Sequence, residues 1–219
     1  MQINQFDWVI RRIATILSVV VLTLSLIAAF SGILLSFYYE PTAGGAYTSL
    51  EAITLQVPYG WFFRKIHSLA GNGIIAIALI QIVVMFLGRQ FRRSWLGAWI
   101  SGILLALTAI GLSWTAIILA WTQEGYWRFN IELGTIQAIP LVGVWLKNIL
   151  TGGGAINSVT IQHLYTIHSY LLSVGVVVLA VVHLSSLIWQ EKQMRAKNGV
   201  SVEERERLNQ AVDVSLAES

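Results

Sequence analysis

No cysteine occurs anywhere in the 219 residues. That absence excludes disulfides, thiolate metal sites, iron–sulfur ligation and covalent c-type haem attachment through this chain. Charge is scarce as well. Only 11% of residues are charged, against roughly 25% in ordinary soluble domains. Hydrophobic residues make up 56%, and the mean hydropathy is +0.68. Such a chain is a membrane protein by composition. The net charge is a small +3. The pI of 9.3 reflects membrane-side Arg and Lys rather than nucleic-acid binding. The start, MQINQFDWVIRR, lacks a small-residue cleavage site, and the apolar run after it is long enough to span. It does not read as a signal peptide.

Four apolar runs stand out: A from about Ile13 to Phe37, B from Trp61 to Leu87, C from Leu96 to Trp121 and D from Thr160 to Trp189. Each exceeds the ~20 residues that carry a helix across the hydrocarbon core. A single segment can cross only as a helix, because lipid offers its backbone no hydrogen-bond partner. The predicted fold is all-α: a four-helix transmembrane bundle with short surface helices.

The connections differ. Between A and B, EPTAGGAYTSLEAITLQVPYG is turn-rich, then helical from about Ser49. GRQFRRS, between B and C, is short and basic. The long C–D connection, Thr122 to Val159, holds IQAIPLVGVWLKNILTGGG. It reads as one or two surface helices, the stretch from Pro140 to Leu150 being too short to span and fit for the interface. The bundle is expected over 1–190 and a polar tail over 191–219. In the tail, Ser201 and Glu204 have the spacing of a capping box, which predicts a separate short helix there. Arg11, Arg12, Arg89, Arg92, Arg93, Lys192, Arg195, Lys197, Arg205 and Arg207 fall on one side, and Arg64, Lys65, Arg128 and Lys147 on the other. The positive-inside rule then puts both termini on the cytoplasmic n side and the A–B and C–D loops on the p side.

His67 and His168 lie near the p-side starts of spans B and D, at similar depth. Two imidazoles facing across a bundle can hold one haem iron axially. They can equally be buried histidines bonded to backbone or to each other. Ionisable residues inside a membrane are costly and usually functional. His183 follows His168 by fifteen residues, which is ~22 Å along the helix and ~60° around it. Gln81 follows His67 by fourteen, about 40° off its face. The layout is that of two stacked sites with three histidines and one glutamine, a poor haem ligand. His163 reads as exposed or locally bonded.

SGILLSFYYEPTAGGAYTSLEAI, VPYGWFFRKIH, ILAWTQEGYW, IQAIPLVG and LYTIH together resemble the cytochrome b6 family, the four-helix N-terminal part of cytochrome b, from about Arg12 to Glu191. The resemblance implies b-type haems between helices B and D of a quinol-oxidising complex. Its other members would be a Rieske protein, a c-type cytochrome and a subunit IV-like protein, with quinone or quinol as substrate. It also implies that His67 and His168 are the p-side ligand pair and His183 one n-side ligand. Gln81 then stands where the fourth histidine belongs. Gly32 and Gly102 match two of the four glycines that flank the haems, while Ser18 and Ala116 replace the others. Arg64 matches an arginine near the p-side propionates, and Val84 replaces a basic residue near the n-side haem. The helix A cysteine that tethers an extra haem is missing. At the p-side quinol region a P-W-D becomes Ala120–Trp121–Thr122, with Tyr126 and Trp127 kept.

The losses gather on the n side. Three readings follow. The first is a b-type electron-transfer subunit with one p-side haem between His67 and His168. The second keeps a second, five-coordinate haem on His183. The third is a haem-poor relative serving as a structural or assembly subunit. Under the first, Ile80, Gln81 and Val84 fill the n-side pocket, Gln81 reaches His183, and Ser18 can join them.

Overall fold

The computed structural model describes residues 5–88 and 95–217. Its order is α1 (Gln5–Ser36), α2 (Ala46–Leu55), α3 (Gly60–Leu87), α4 (Leu96–Leu119), α5 (Gln123–Gln137), α6 (Gly143–Thr151), α7 (Ser158–Thr166), a π-helical turn (Ile167–Leu172) and α8 (Ser173–Ala217). No strand occurs among the described residues. Four rods are long and apolar enough to cross a membrane: Val9–Ser36, Gly60–Leu87, Leu96–Leu119 and Ser158–Gln193. The last runs through α7, the π turn and α8 without a break. The surface helices of the two long connections, α2, α5 and α6, gather at one end of the bundle, here the loop end. Arg89, Arg92 and Arg93 of the expected basic connection lie outside the described residues.

Unlike a water-soluble bundle, the rods are apolar on their outer faces, and their largely apolar interior also holds polar side chains. Their outer faces carry exposed Leu26, Phe30, Ile33, Val83, Leu107 and Val178, whereas Ser18, Ser25, Gln81, Ser101, Thr115 and His183 are buried. In lipid the apolar effect does not draw helices together, so close backbone approach and interior hydrogen bonds hold the bundle. The middle of the core accordingly mixes small and branched residues from all four rods: Val21, Ile74, Ala78, Leu105, Ala106, Ala109, Val176 and Ala180. At the loop end, Ala46, Ile118, Phe129, Leu133, Ile161 and Leu164 tie the surface helices to α4 and α7. At the opposite end, Ala14, Met85, Trp95, Ala98 and Leu187 close the bundle. There Glu191 accepts from Thr15 Oγ1 at 2.7 Å and pairs with Arg12 at 3.7 Å.

Local chemistry sets the breaks. Helix α4 stops at Leu119 because Trp121 takes a left-handed φ of 49°, and Thr122 caps α5 by accepting from the Gly125 amide at 3.1 Å. Gly60 begins α3 where a Cβ would lie 1.9 Å from the Ile53 carbonyl oxygen, so only glycine fits. The fourth rod opens with a capping box: Asn157 accepts from the Val159 amide at 2.7 Å, and Thr160 Oγ1 accepts from the Asn157 amide at 3.0 Å. The capping box expected at Ser201 does not form a boundary. Position 201 lies inside α8, which runs on to Ala217. Extending a formed helix fixes one residue per hydrogen bond, whereas a new helix must nucleate again.

Candidate functional site

His67 of α3 and His168 of the fourth rod face each other across the interior, with ring centroids 6.3 Å apart and planes at 54°. Two imidazoles that share one metal, each at a metal–nitrogen distance of about 2 Å, stand at about this separation. Each ring is held from behind. His67 Nδ1 donates to the Ala28 carbonyl at 2.9 Å and lies 3.2 Å from Ser31 Oγ. His168 Nδ1 lies 2.7 Å from Thr115 Oγ1, beside the Leu112 carbonyl. Among the described residues neither Nε2 atom has a hydrogen-bond partner. A ring fixed through Nδ1 presents the other nitrogen's lone pair, the arrangement common to metal-bound histidines. The π-helical turn carries His168. Its wider register rotates that residue relative to α7, and such bulges recur at functional sites.

The second level has the same frame and a different centre. His183 Nδ1 donates to the Ala98 carbonyl at 2.9 Å and lies 3.1 Å from Ser101 Oγ. Gln81 Nε2 donates to the Ala14 carbonyl at 3.0 Å and lies 2.8 Å from His183 Nε2. The network assigns the protons. With Nδ1–H spent on Ala98, His183 Nε2 accepts the second amide hydrogen of Gln81. Both side chains are buried, at 2% and 1% exposure.

One rule relates all four positions. Three acceptor carbonyls belong to residues 14, 28 and 98, and the carbonyl beside His168 to residue 112, each four before positions 18, 32, 102 and 116. Those four positions hold Ser18, Gly32, Gly102 and Ala116. A carbonyl has two lone pairs, so each can serve its own helix and a side chain from the next. The small residue one turn on leaves space for the ring. A Cβ on Gly32 would lie 3.0 Å from His67 Cε1, and one on Gly102 2.9 Å from His183 Cε1. Gln81 thus completes the frame opposite His183 and bonds the fourth carbonyl, that of Ala14. Ser31, Ser101 and Thr115 each directly precede one of the small positions. Sequence reasoning missed these hydroxyls, although that adjacency was their signal.

Other expected residues fall as follows. Arg64 sits one turn from His67, but its guanidinium turns to α2, donating to Thr54 Oγ1 at 2.6 Å and to the Leu50 carbonyl at 3.3 Å. Trp121, Tyr126 and Trp127 form an edge-to-face ladder, with centroid distances of 5.8 and 5.3 Å. Trp121 Nε1 donates to the Ala43 carbonyl at 2.9 Å. Beside them Tyr39 donates to the Leu119 carbonyl at 2.8 Å. Burial pushes the Tyr39 phenol well above its usual range, so it remains a donor. His163 Nδ1 bonds the Ile149 carbonyl at 2.7 Å. Two expectations about the second level fail. Ile80 is 50% exposed, on the outer face rather than in a pocket, and Ser18 Oγ is buried without a hydrogen-bond partner.

These features define an integral membrane four-helix bundle with side chains paired across its interior at two levels. The family described as cytochrome b/b6/petB matches residues 5–191, and the chain belongs to that family. It is 32% identical to a cytochrome b6 of Mastigocladus laminosus over 164 residues, 75% of this chain and 76% of that one. It is 30% identical to a cytochrome b6 of Auxenochlorella protothecoides over 161 residues, 74% of this chain and 75% of that one. Its fold matches a chain of a solved hyperthermophilic respiratory complex III with a TM-score of 0.70 at 24% identity. The match covers 80% of this chain and 47% of that chain, so the protein spans about half the length of that structural relative.

Proposed function

We propose that the protein is a b-type cytochrome, an electron-transfer subunit of a quinol-linked membrane complex, holding one haem b between His67 and His168. The observation that carries this reading is the contrast between the two levels. At the first, two rings stand 6.3 Å apart with unengaged Nε2 atoms. At the second, Gln81 and His183 bond directly at 2.8 Å.

A b-type haem supplies reversible one-electron chemistry in such a pocket. The chain's own residues do the holding. Ala28, Ser31 and Thr115 orient the two rings, Gly32 leaves space for the His67 ring to lie against α1, and Arg64, bonded to α2 in this structure, would have to turn from Thr54 and Leu50 to meet a propionate. Gly102 and His183 build the second level, which has become a polar clasp between α1, α3, α4 and α8. The Trp121–Tyr126–Trp127 ladder flanks the quinone at the loop end. That end is the p side, and the termini with the tail from residue 191 are cytoplasmic. A Rieske protein, a c-type cytochrome and a subunit IV-like protein complete the assembly.

The test is the absorbance of His67→Ala and His168→Ala in purified membranes. Each removes one axial arm, so each loses the b-type band. An unchanged band in either variant defeats the site.

A further inference from the structure

The outer face of α3 changes character halfway along. With 28 residues the helix is ~42 Å long, and Asn72, twelve residues past Gly60, lies ~18 Å from its loop end, near the bilayer centre. Trp61, Lys65, Ser68 and Asn72 recur at helical spacing within a stripe ~60° wide, and all four are exposed. Beyond Asn72 the same face continues as Ala76, Leu79, Val83 and Phe86, an ordinary lipid-facing surface.

Among the described residues the side chains of Lys65, Ser68 and Asn72 have no hydrogen-bond partner. An amide in hydrocarbon without a partner costs several kcal/mol, so this half of the face is not finished by lipid. With Arg64, Leu69 and, from α2, Thr54, the stripe lines a shallow, open depression of about 450 Å³. A Cβ on neighbouring Gly71 would meet nothing within 4 Å, which leaves room for a second backbone.

We propose that this half-face docks a transmembrane helix of a different chain, one that offers a hydrogen-bonding side chain opposite Asn72 and a carboxylate opposite Lys65. A phospholipid would satisfy Lys65 with its phosphate, but its acyl chains offer nothing to Asn72, seven residues deeper and ~10 Å below it. A second copy meeting the first through the same stripe would set Lys65 against Lys65, and like charges across an interface are strongly disfavoured. The inference needs only that α3 spans the membrane, and it stands apart from the haem reading.

The test places a photoreactive benzophenone residue at position 72 of the full-length chain (with Ser68 as a second site) and irradiates the native membranes. The expected product is an adduct to one transmembrane segment of another polypeptide that carries Asp or Glu about two turns toward the loop end. Lys65→Glu in the same background should lower its yield roughly tenfold, while Leu79, on the apolar half, gives no such adduct. An adduct only to lipid, an adduct to a second copy, a partner segment without that acid, or no adduct at either site overturns the proposal. The b-type absorbance, read on the same samples, reports on the haem site separately.

Discussion

Gln81 Nε2 stands 2.8 Å from His183 Nε2 and 3.0 Å from the Ala14 carbonyl, so one amide group satisfies a histidine on one neighbour and a backbone carbonyl on another. A histidine at position 81 bonded through Nδ1 to Ala14 would present a lone pair to His183. The glutamine presents an N–H instead, and a donor facing an acceptor makes a hydrogen bond where two acceptors would invite a metal.

Gln81→Leu should destabilise the bundle without altering its haem content. It strands the buried His183 Nε2 and removes the second bond to Ala14, a loss of about 1–3 kcal/mol. Thermal unfolding in detergent, followed beside the b-type band, checks both halves.

A histidine at position 81 should not by itself create a second site. Ser18 stands at the fourth small position, where Gly32 and Gly102 elsewhere lie against imidazole rings. Gln81→His alone is expected to leave the haem content unchanged, and Gln81→His with Ser18→Gly to add a second haem. Pyridine haemochrome spectra of the two variants decide it.

The two glycines should respond differently to a methyl group. In Gly32→Ala the new Cβ presses on His67 and should weaken haem retention, seen as faster loss of the b band in detergent. In Gly102→Ala it presses on His183 at 2.9 Å, costing about 1–3 kcal/mol of stability with the haem content intact.

A cysteine introduced by Ser201→Cys should resist membrane-impermeant reagents in intact cells and react after permeabilisation. The basis is the excess of Arg and Lys flanking the termini. Ready labelling in intact cells would reverse the orientation.

The four spans were legible because bilayer thickness imposes a minimum apolar length, and their bounds fell within a few residues of the structure. The depth match of His67 with His168, and of Gln81 with His183, followed from the fixed helical rise. The π-helical turn at His168 was not legible, since a change of hydrogen-bond register leaves no side-chain pattern. Ile80 went wrong by one residue, which on a helix is a rotation of ~100° and moves a side chain from core to lipid. Ser201 misled because a capping pair acts only where a helix begins, and α8 continues through it. The Asn157 box was overlooked beside a glycine run that already signalled a loop.

The most direct measurement is the number of b haems per chain, by pyridine haemochrome against quantitative amino-acid analysis, for the native protein, His168→Ala and His183→Ala. The account predicts one for the native protein, none for His168→Ala and one for His183→Ala. Two haems in the native protein, with one lost on removing His183, would contradict it.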